Sequence, residues 1–234
     1  MSRYRRISPT SSRLRMGRSP HLEIVLATGN RHKVRELIAL LGIPGIRWRS
    51  LAEYPDVLPI KETGRTFEVN AIKKSRTVAR ATGCLALADD SGIEVDALHG
   101  APGIYSARFA GRHGDDAANN RKLLASLDGL PASRRGAQYR CVLALASPQR
   151  LLAVTEGILR GRIAESPRGR RGFGYDPIFA VPRLGKRVAE LPTRIKHRLS
   201  HRAQAARRMR RAIARLLSEC DPAAHSDYRR ARRG

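Results

Sequence analysis

Two adjacent carboxylates, Asp89 and Asp90, follow an apolar run in the stretch LALADDSGIEVD. Successive residues of an extended chain point to opposite sides, so the pair divides its roles: one carboxylate faces a cleft and the other braces the loop. In an open α/β sheet ligands bind at the carboxyl ends of the strands, where this pair is expected to emerge. Such a carboxylate serves as an oxygen ligand for Mg2+, or it orients and deprotonates water. The alternative is a turn in which either aspartate accepts from the amides around Ser91-Gly92. A second stretch, LATGNRHK from Leu26 to Lys33, sets a short Gly loop between an apolar segment and a helical pattern. Free amides and the helix dipole at such a junction favour phosphate, and the Lys33 ammonium adds a point charge in the first turn. Neither dinucleotide nor P-loop glycine spacing is present, so an ordinary strand-turn-helix junction is the better reading of this stretch alone.

Further along, GFGYDPIF (Gly172 to Phe179) joins aromatic residues, glycines and one acid before an apolar segment. Phe173 or Tyr175 can stack on a base while Asp176 accepts from its N–H edge, and Ile178 and Phe179 read as core. KHRLSHR (Lys196 to Arg202) offers cations, a hydroxyl and an imidazole at a helix start, donors suited to a purine carbonyl and a phosphate. A solvated basic helix end is the plainer reading of that stretch alone. Ser91 with His201 lacks the GxSxG elbow of a serine hydrolase, and His197 with His201 lacks the glutamate of HExxH, so neither serine chemistry nor zinc is expected.

These residues need elements to hold them. EIVLA reads as a buried strand, HKVRELIALL as a helix with Val34, Leu37, Ile38 and Leu41 on one face, and Gly42 as its stop. Residues 43 to 65, with three prolines, read mostly as loop with a short strand near Ile46 to Trp48. A second helix starts at a Thr66 cap and ends at Gly83. CLALA is a strand leading into the aspartates. A helix follows near Asn119 to Leu127, then strands near Tyr139 to Ala146 and Leu152 to Gly157, and a long helix from about Leu199 to Leu217. Alternating strands and helices indicate an α/β fold in one domain, residues 21–219, flanked by a disordered basic arm, 1–20, and a basic tail, 220–234.

The chain carries 46 Lys and Arg against 20 Asp and Glu, a formal charge of +26. That balance points to a polyphosphate or nucleic-acid partner, or to an Arg-rich solvated surface; the arm supplies only six of the charges. With 5% aromatic residues a single-strand stacking platform is disfavoured. No segment approaches the length of a membrane span. Three scattered cysteines suggest neither a disulfide framework nor a zinc knuckle; Cys84 and Cys141 read as core residues in a reducing, cytoplasmic setting.

Taken in order, LATGNRHKVREL, ETGRTFEVNAIKKS, ADDSGIEVDALHGAPGIYSARFAG, GFGYDPIF and KHRLSHRAQA resemble the Ham1/RdgB family of inosine/xanthosine triphosphate pyrophosphatases, from about Glu23 to Leu217. The resemblance implies a two-lobed α/β fold with a long curved mixed sheet, an active cleft between the lobes, and a homodimer. It also implies Mg2+-dependent hydrolysis of ITP, dITP and XTP or dXTP to the monophosphate and pyrophosphate, which clears deaminated purines from the nucleotide pool. Carried over, Thr28, Gly29, Asn30, Arg31, His32 and Lys33 are the phosphate loop. Glu62 and Asp90 are metal ligands, with Asp90 also the proton acceptor and Asp89 a candidate second carboxylate. Lys74 and Lys196 neutralise the triphosphate, and Ser91 contacts substrate. Phe173, Gly174, Tyr175 and Asp176 form the base pocket, and His201 and Arg202 read the purine 6-position. Donors there favour an oxo group over adenine's amino group. Departures from the family pattern fall at Val69, His197 and Arg170-Arg171. A weak nucleic-acid contact through the basic tails is the remaining partner expectation.

Overall fold

The structure, a computed structural model, describes residues 22–58 and 60–220. The expected arm lies outside the described residues, as does the expected tail beyond Cys220. A seven-stranded mixed sheet runs in the order β2-β1-β3-β4-β5-β6-β7. β1 (Leu22–Leu26) is buried between two parallel neighbours, β2 (Ile46–Ser50) and β3 (Leu85–Val95). Its buried run Ile24-Val25-Leu26 suits a strand covered on both faces. From β3 onward the pairing is antiparallel, through β4 (Gly136–Ala146), β5 (Leu151–Ile163), β6 (Phe179–Val181) and β7 (Lys186–Arg187). The α/β expectation is met, with β5 running six residues further than the sequence suggested, to Ile163.

Helices cover both faces. α1 (Arg31–Leu41) begins at an Asn30 cap and stops at Gly42, whose φ of 36° lies in the left-handed region that glycine enters without strain. Leu37 and Leu41 are buried as expected, whereas Ile38 is exposed: four apolar positions span a wider arc than this helix buries. α2 (Phe67–Thr82) is capped by the Thr66 side chain and ended by Gly83, as its sequence dictates. α3 (Asp116–Ser126) starts three residues before its expected position because Asp115 caps it. The long C-terminal helix expected from about Leu199 is present, and a short helix that the sequence did not suggest precedes it. α4 (Thr193–Leu199) ends at Ser200, which leaves helical geometry at ψ 154°, and α5 (His201–Cys220) restarts there.

The period of two along β3 decides which helix each residue meets. Leu87 packs with Leu37, Leu41, Ala205, Ala206 and Met209, so α1 and α5 lie on one face. Ala86 and Ala88 pack with Val78 and Ala79 of α2 on the other. Beyond them Ile93 and Val95 enter a separate core with Tyr139, Ile163, Phe179 and Val188. Asp89, Asp90 and Ser91 therefore sit at the seam between two cores. α5 reaches this seam because β5 carries Gly157, where a Cβ would collide with the His201 carbonyl and the Ala205 amide. Helix backbone rests directly on strand backbone there.

Candidate active site

The aspartates lie in the middle of β3, not at its end as the sequence suggested. What ends is β1: its pairing with β3 stops at Leu87, where the Ala27 amide donates to the Leu87 carbonyl at 2.8 Å. The edge of β3 beyond that point is left open to side chains from the β1–α1 loop and from α2. Along it the Asp89 carbonyl accepts from Lys74 Nζ at 2.7 Å.

Asp89 and Asp90 do point to opposite faces. Asp89 faces α1 and α5, fully buried. Its Oδ1 meets Lys33 Nζ at 2.5 Å and accepts from Ser91 Oγ at 2.9 Å, and its Oδ2 accepts from Arg202 Nε at 3.0 Å and from the Cys141 thiol at 3.2 Å. Burial alone would raise its pKa, yet Lys33 and Arg202 outweigh that and hold it well below the usual carboxylate range. Both oxygens of Asp89 are thus engaged by four donors in this structure, and to act as a second metal carboxylate it would first have to give one of them up.

Asp90 faces α2. Its Oδ1 accepts from Lys74 Nζ at 3.0 Å, and the same ammonium lies 2.6 Å from Glu62 Oε1. Asp90 Oδ2 is buried with no hydrogen-bond partner. Burial and the charge of Glu62 push the Asp90 pKa up against the pull of Lys74, while Glu62, also raised by burial, is brought below its ordinary value by Lys74. One ammonium thus serves two carboxylates and leaves one of them short of positive charge. Glu62 is held in place from α2: Asn70 Oδ1 accepts from the Gly64 amide at 2.8 Å, and Lys73 Nζ donates to the Lys61 carbonyl and to Thr63 Oγ1 at 2.8 and 2.9 Å. Val69, the departing position, is exposed and takes no part.

A third group gathers around Glu36 of α1, which sequence reasoning missed. Its oxygens meet Lys196 Nζ at 2.8 Å and Arg202 at 2.5 Å. Lys196 also lies 2.9 Å from Asp176 Oδ2. No local motif marks Glu36; it becomes legible only when α1 and the α4–α5 junction are known to face the same cleft. Burial opposes its charge, but Arg202 and Lys196 lower its pKa nonetheless.

The expected base pocket is assembled selectively. Phe173 stacks on His32 at 5.4 Å, with Lys196 Nζ 4.9 Å and the Arg202 guanidinium 5.5 Å from its ring centroid. Tyr175 is core instead: its hydroxyl donates to the Ser106 carbonyl at 2.8 Å. Asp176 is buried and spent, accepting from Tyr139, from Lys196 and from the Phe173 amide. Gly174 donates its amide to Asp116 at 2.6 Å. His201 stacks on Tyr139 at 4.6 Å, and its Nδ1 is buried and unpartnered. Burial and the neighbouring Arg202 lower the His201 pKa far enough to keep the ring neutral. In the phosphate loop, Asn30 Oδ1 accepts from the His32 and Lys33 amides, so the helix N-terminus is capped by its own chain. Thr28 Oγ1 accepts from the Asn30 amide, and Gly29 and Arg31 are exposed.

The seam of this α/β sheet thus gathers Lys33, Lys74, Lys196 and Arg202, each paired with a buried or half-buried carboxylate. The chain belongs to the Ham1 family, whose model matches residues 24–212. The dITP/XTP pyrophosphatase of Desulforamulus reducens is 48% identical over 195 residues, 83% of this chain and 97% of the relative. That of Geobacter sulfurreducens is 49% identical over 183 residues, 78% and 92% of the two chains. Among solved structures, a HAM1 protein from Coxiella burnetii superposes with a TM-score of 0.76 at 42% identity, covering 83% of this chain and 99% of its own. The Staphylococcus aureus Ham1 protein does so with a TM-score of 0.75 at 41% identity, covering 84% and 99%.

Proposed function

We propose that this chain hydrolyses the non-canonical purine triphosphates dITP, ITP and XTP or dXTP to the monophosphate and pyrophosphate. The observation that carries the reading is the partnerless, buried Oδ2 of Asp90 beside Glu62, with Lys74 shared between the two carboxylates and Lys33, Lys196 and Arg202 gathered on the Asp89 side of the strand. Relatives nearly half identical over about four-fifths of the chain bear the name dITP/XTP pyrophosphatase, which supports it.

The donor set fits Mg2+. Two carboxylates from separate segments supply hard oxygen ligands, and Mg2+ commonly takes one or two carboxylates and fills the rest of its shell with water and substrate phosphate. Glu62 and Asp90 would hold the ion, which when bound neutralises phosphate charge and acidifies water.

Lys33 and Lys74 leave their carboxylates to contact the triphosphate, and Lys196 follows from the α4 side. Water attacks the α-phosphorus, forming a new P–O bond as the bond to the bridging oxygen breaks. The water proton passes to Asp90, whose raised pKa suits it as acceptor, and pyrophosphate leaves against the lysines. The base stacks on Phe173 by displacing His32, and the neutral His201 ring sits beside the purine edge. The expected homodimer, cytoplasmic location and role in clearing deaminated purines belong to the same proposal; among the described residues no helix is long and apolar enough to cross a membrane. The test is pyrophosphate release from dITP, XTP, ATP and GTP with Mg2+. Fast turnover of dITP and XTP is expected, and comparable rates on all four, or orthophosphate as product, overturn the proposal.

A further inference from the structure

The solvent arc of α5 is a ridge of one sign. Arg207, Arg208, Arg210, Arg211 and Arg215 are all exposed, and between them the arc holds only Gln204, Ala214 and Ser218. From His201 to Ser218 the helix contains no acidic residue. Among the residues whose side chains are described, Arg207, Arg208, Arg210 and Arg211 have no carboxylate within ion-pair distance. Arg207 donates to the Arg198 carbonyl at 3.0 Å and Arg208 to the Glu156 carbonyl, so both are fixed in place, and Arg198 extends the row onto α4.

An ordinary solvated helix face alternates its charges, because like charges one turn apart repel and opposite ones attract. This face carries Arg207, Arg211 and Arg215 four residues apart, about 6 Å of rise each. A small phosphate spans at most two of them, whereas a polymer of phosphates meets the whole row, and Arg presents a planar fork to each. The arc has no aromatic residue for unpaired bases to stack on, which favours a duplex backbone over a single strand. It also cannot serve a lipid surface as an amphipathic helix does, since Ala205, Ala206, Met209 and Ile213 are committed to the core.

We infer that the Arg ridge of α5 binds the phosphate backbone of double-helical nucleic acid without reading its sequence. The test is fluorescence anisotropy of a labelled 30-base-pair duplex of mixed sequence with the full chain, across a salt series from 50 to 200 mM. The triple variant Arg210→Glu, Arg211→Glu, Arg215→Glu is compared with a control of the same net charge, Arg76→Glu, Arg80→Glu, Arg121→Glu, with circular dichroism and thermal melts confirming that each is folded. The ridge variant is expected to bind at least about tenfold more weakly and to lose about three from the log–log salt slope, since each phosphate neutralised contributes about 0.9. Equal losses in the control would assign the effect to net charge and overturn the inference. So would absence of wild-type binding at 50 mM, or binding to anionic phosphatidylserine vesicles without binding to duplex.

Discussion

Asp89→Asn and Asp90→Asn alter neighbouring residues of one strand by the same change, and the two are expected to fail in opposite ways. Among the described residues Asp89 is the carboxylate within ion-pair distance of Lys33, whose side chain is 17% exposed, and one of two that pair with Arg202, which is 3% exposed. Removing one partner of a buried ion pair leaves the other uncompensated, at a cost of about 3 kcal/mol or more. For a domain of this size that lowers Tm by about 6 to 12 °C. Asp90 is the reverse: it is buried beside Glu62 with half its oxygen capacity unused. A neutral amide there keeps the acceptor for Lys74 and relieves the repulsion with Glu62, so stability moves by less than about 1 kcal/mol while turnover of dITP is lost. The pH profiles separate the two further. The Asp89 pKa is depressed below 3.8, so the wild type's advantage over Asp89→Asn is present above that value and disappears as the pH falls through the folded pKa. The Asp90 pKa is raised above 3.8, so the wild type loses stability relative to Asp90→Asn as the pH rises through the window from 3.8 to the folded value. Thermal melts of both variants between pH 3 and 8, with pyrophosphate release at pH 7.5, provide the readouts. Equal Tm losses, or an Asp89→Asn protein that melts with the wild type at neutral pH, would break the assignment.

Glu62→Gln is expected to raise the Mg2+ concentration needed for half-maximal dITP turnover by at least tenfold, with Tm nearly unchanged; an unchanged Mg2+ dependence removes Glu62 from the metal site. Gly157→Ala puts a methyl into the backbone of α5 at His201 and Ala205, and is expected to cost about 2 to 3 kcal/mol in chemical denaturation. It should also slow turnover by shifting Arg202, and a variant as stable and active as wild type would show that the helix can yield.

Much of this was legible from residue order. The cap at Thr66 and the stops at Gly42 and Gly83 marked the ends of α1 and α2, because each depends on the conformation and hydrogen bonding of a few neighbouring residues. Strand alternation placed Asp89 and Asp90 on opposite faces. Partners were harder to read. Cys141 lies 52 residues from Asp89 and Tyr139 lies 37 from Asp176, which each meets directly, and Glu36 reaches Asp89 only through Arg202, distances along the chain that no spacing rule spans. Tyr175 looked as able to stack on a base as Phe173, since both are aromatic in one Gly-rich loop. The difference is that the Tyr175 hydroxyl has the Ser106 carbonyl to satisfy it in the interior.

The seam in β3 also limits how this sequence can change. Because neighbouring residues of a strand exchange faces, loss or gain of one residue between Leu87 and Asp89 would turn the carboxylate now held by Lys33 and Arg202 toward Lys74, and the other toward α5. The same slip would bring Ile93 and Val95 out of their core. Substitutions in this strand can be judged one side chain at a time, but insertions and deletions cannot. Length changes are therefore expected to collect in the loops, such as residues 165–172, while the eleven residues of β3 keep their count.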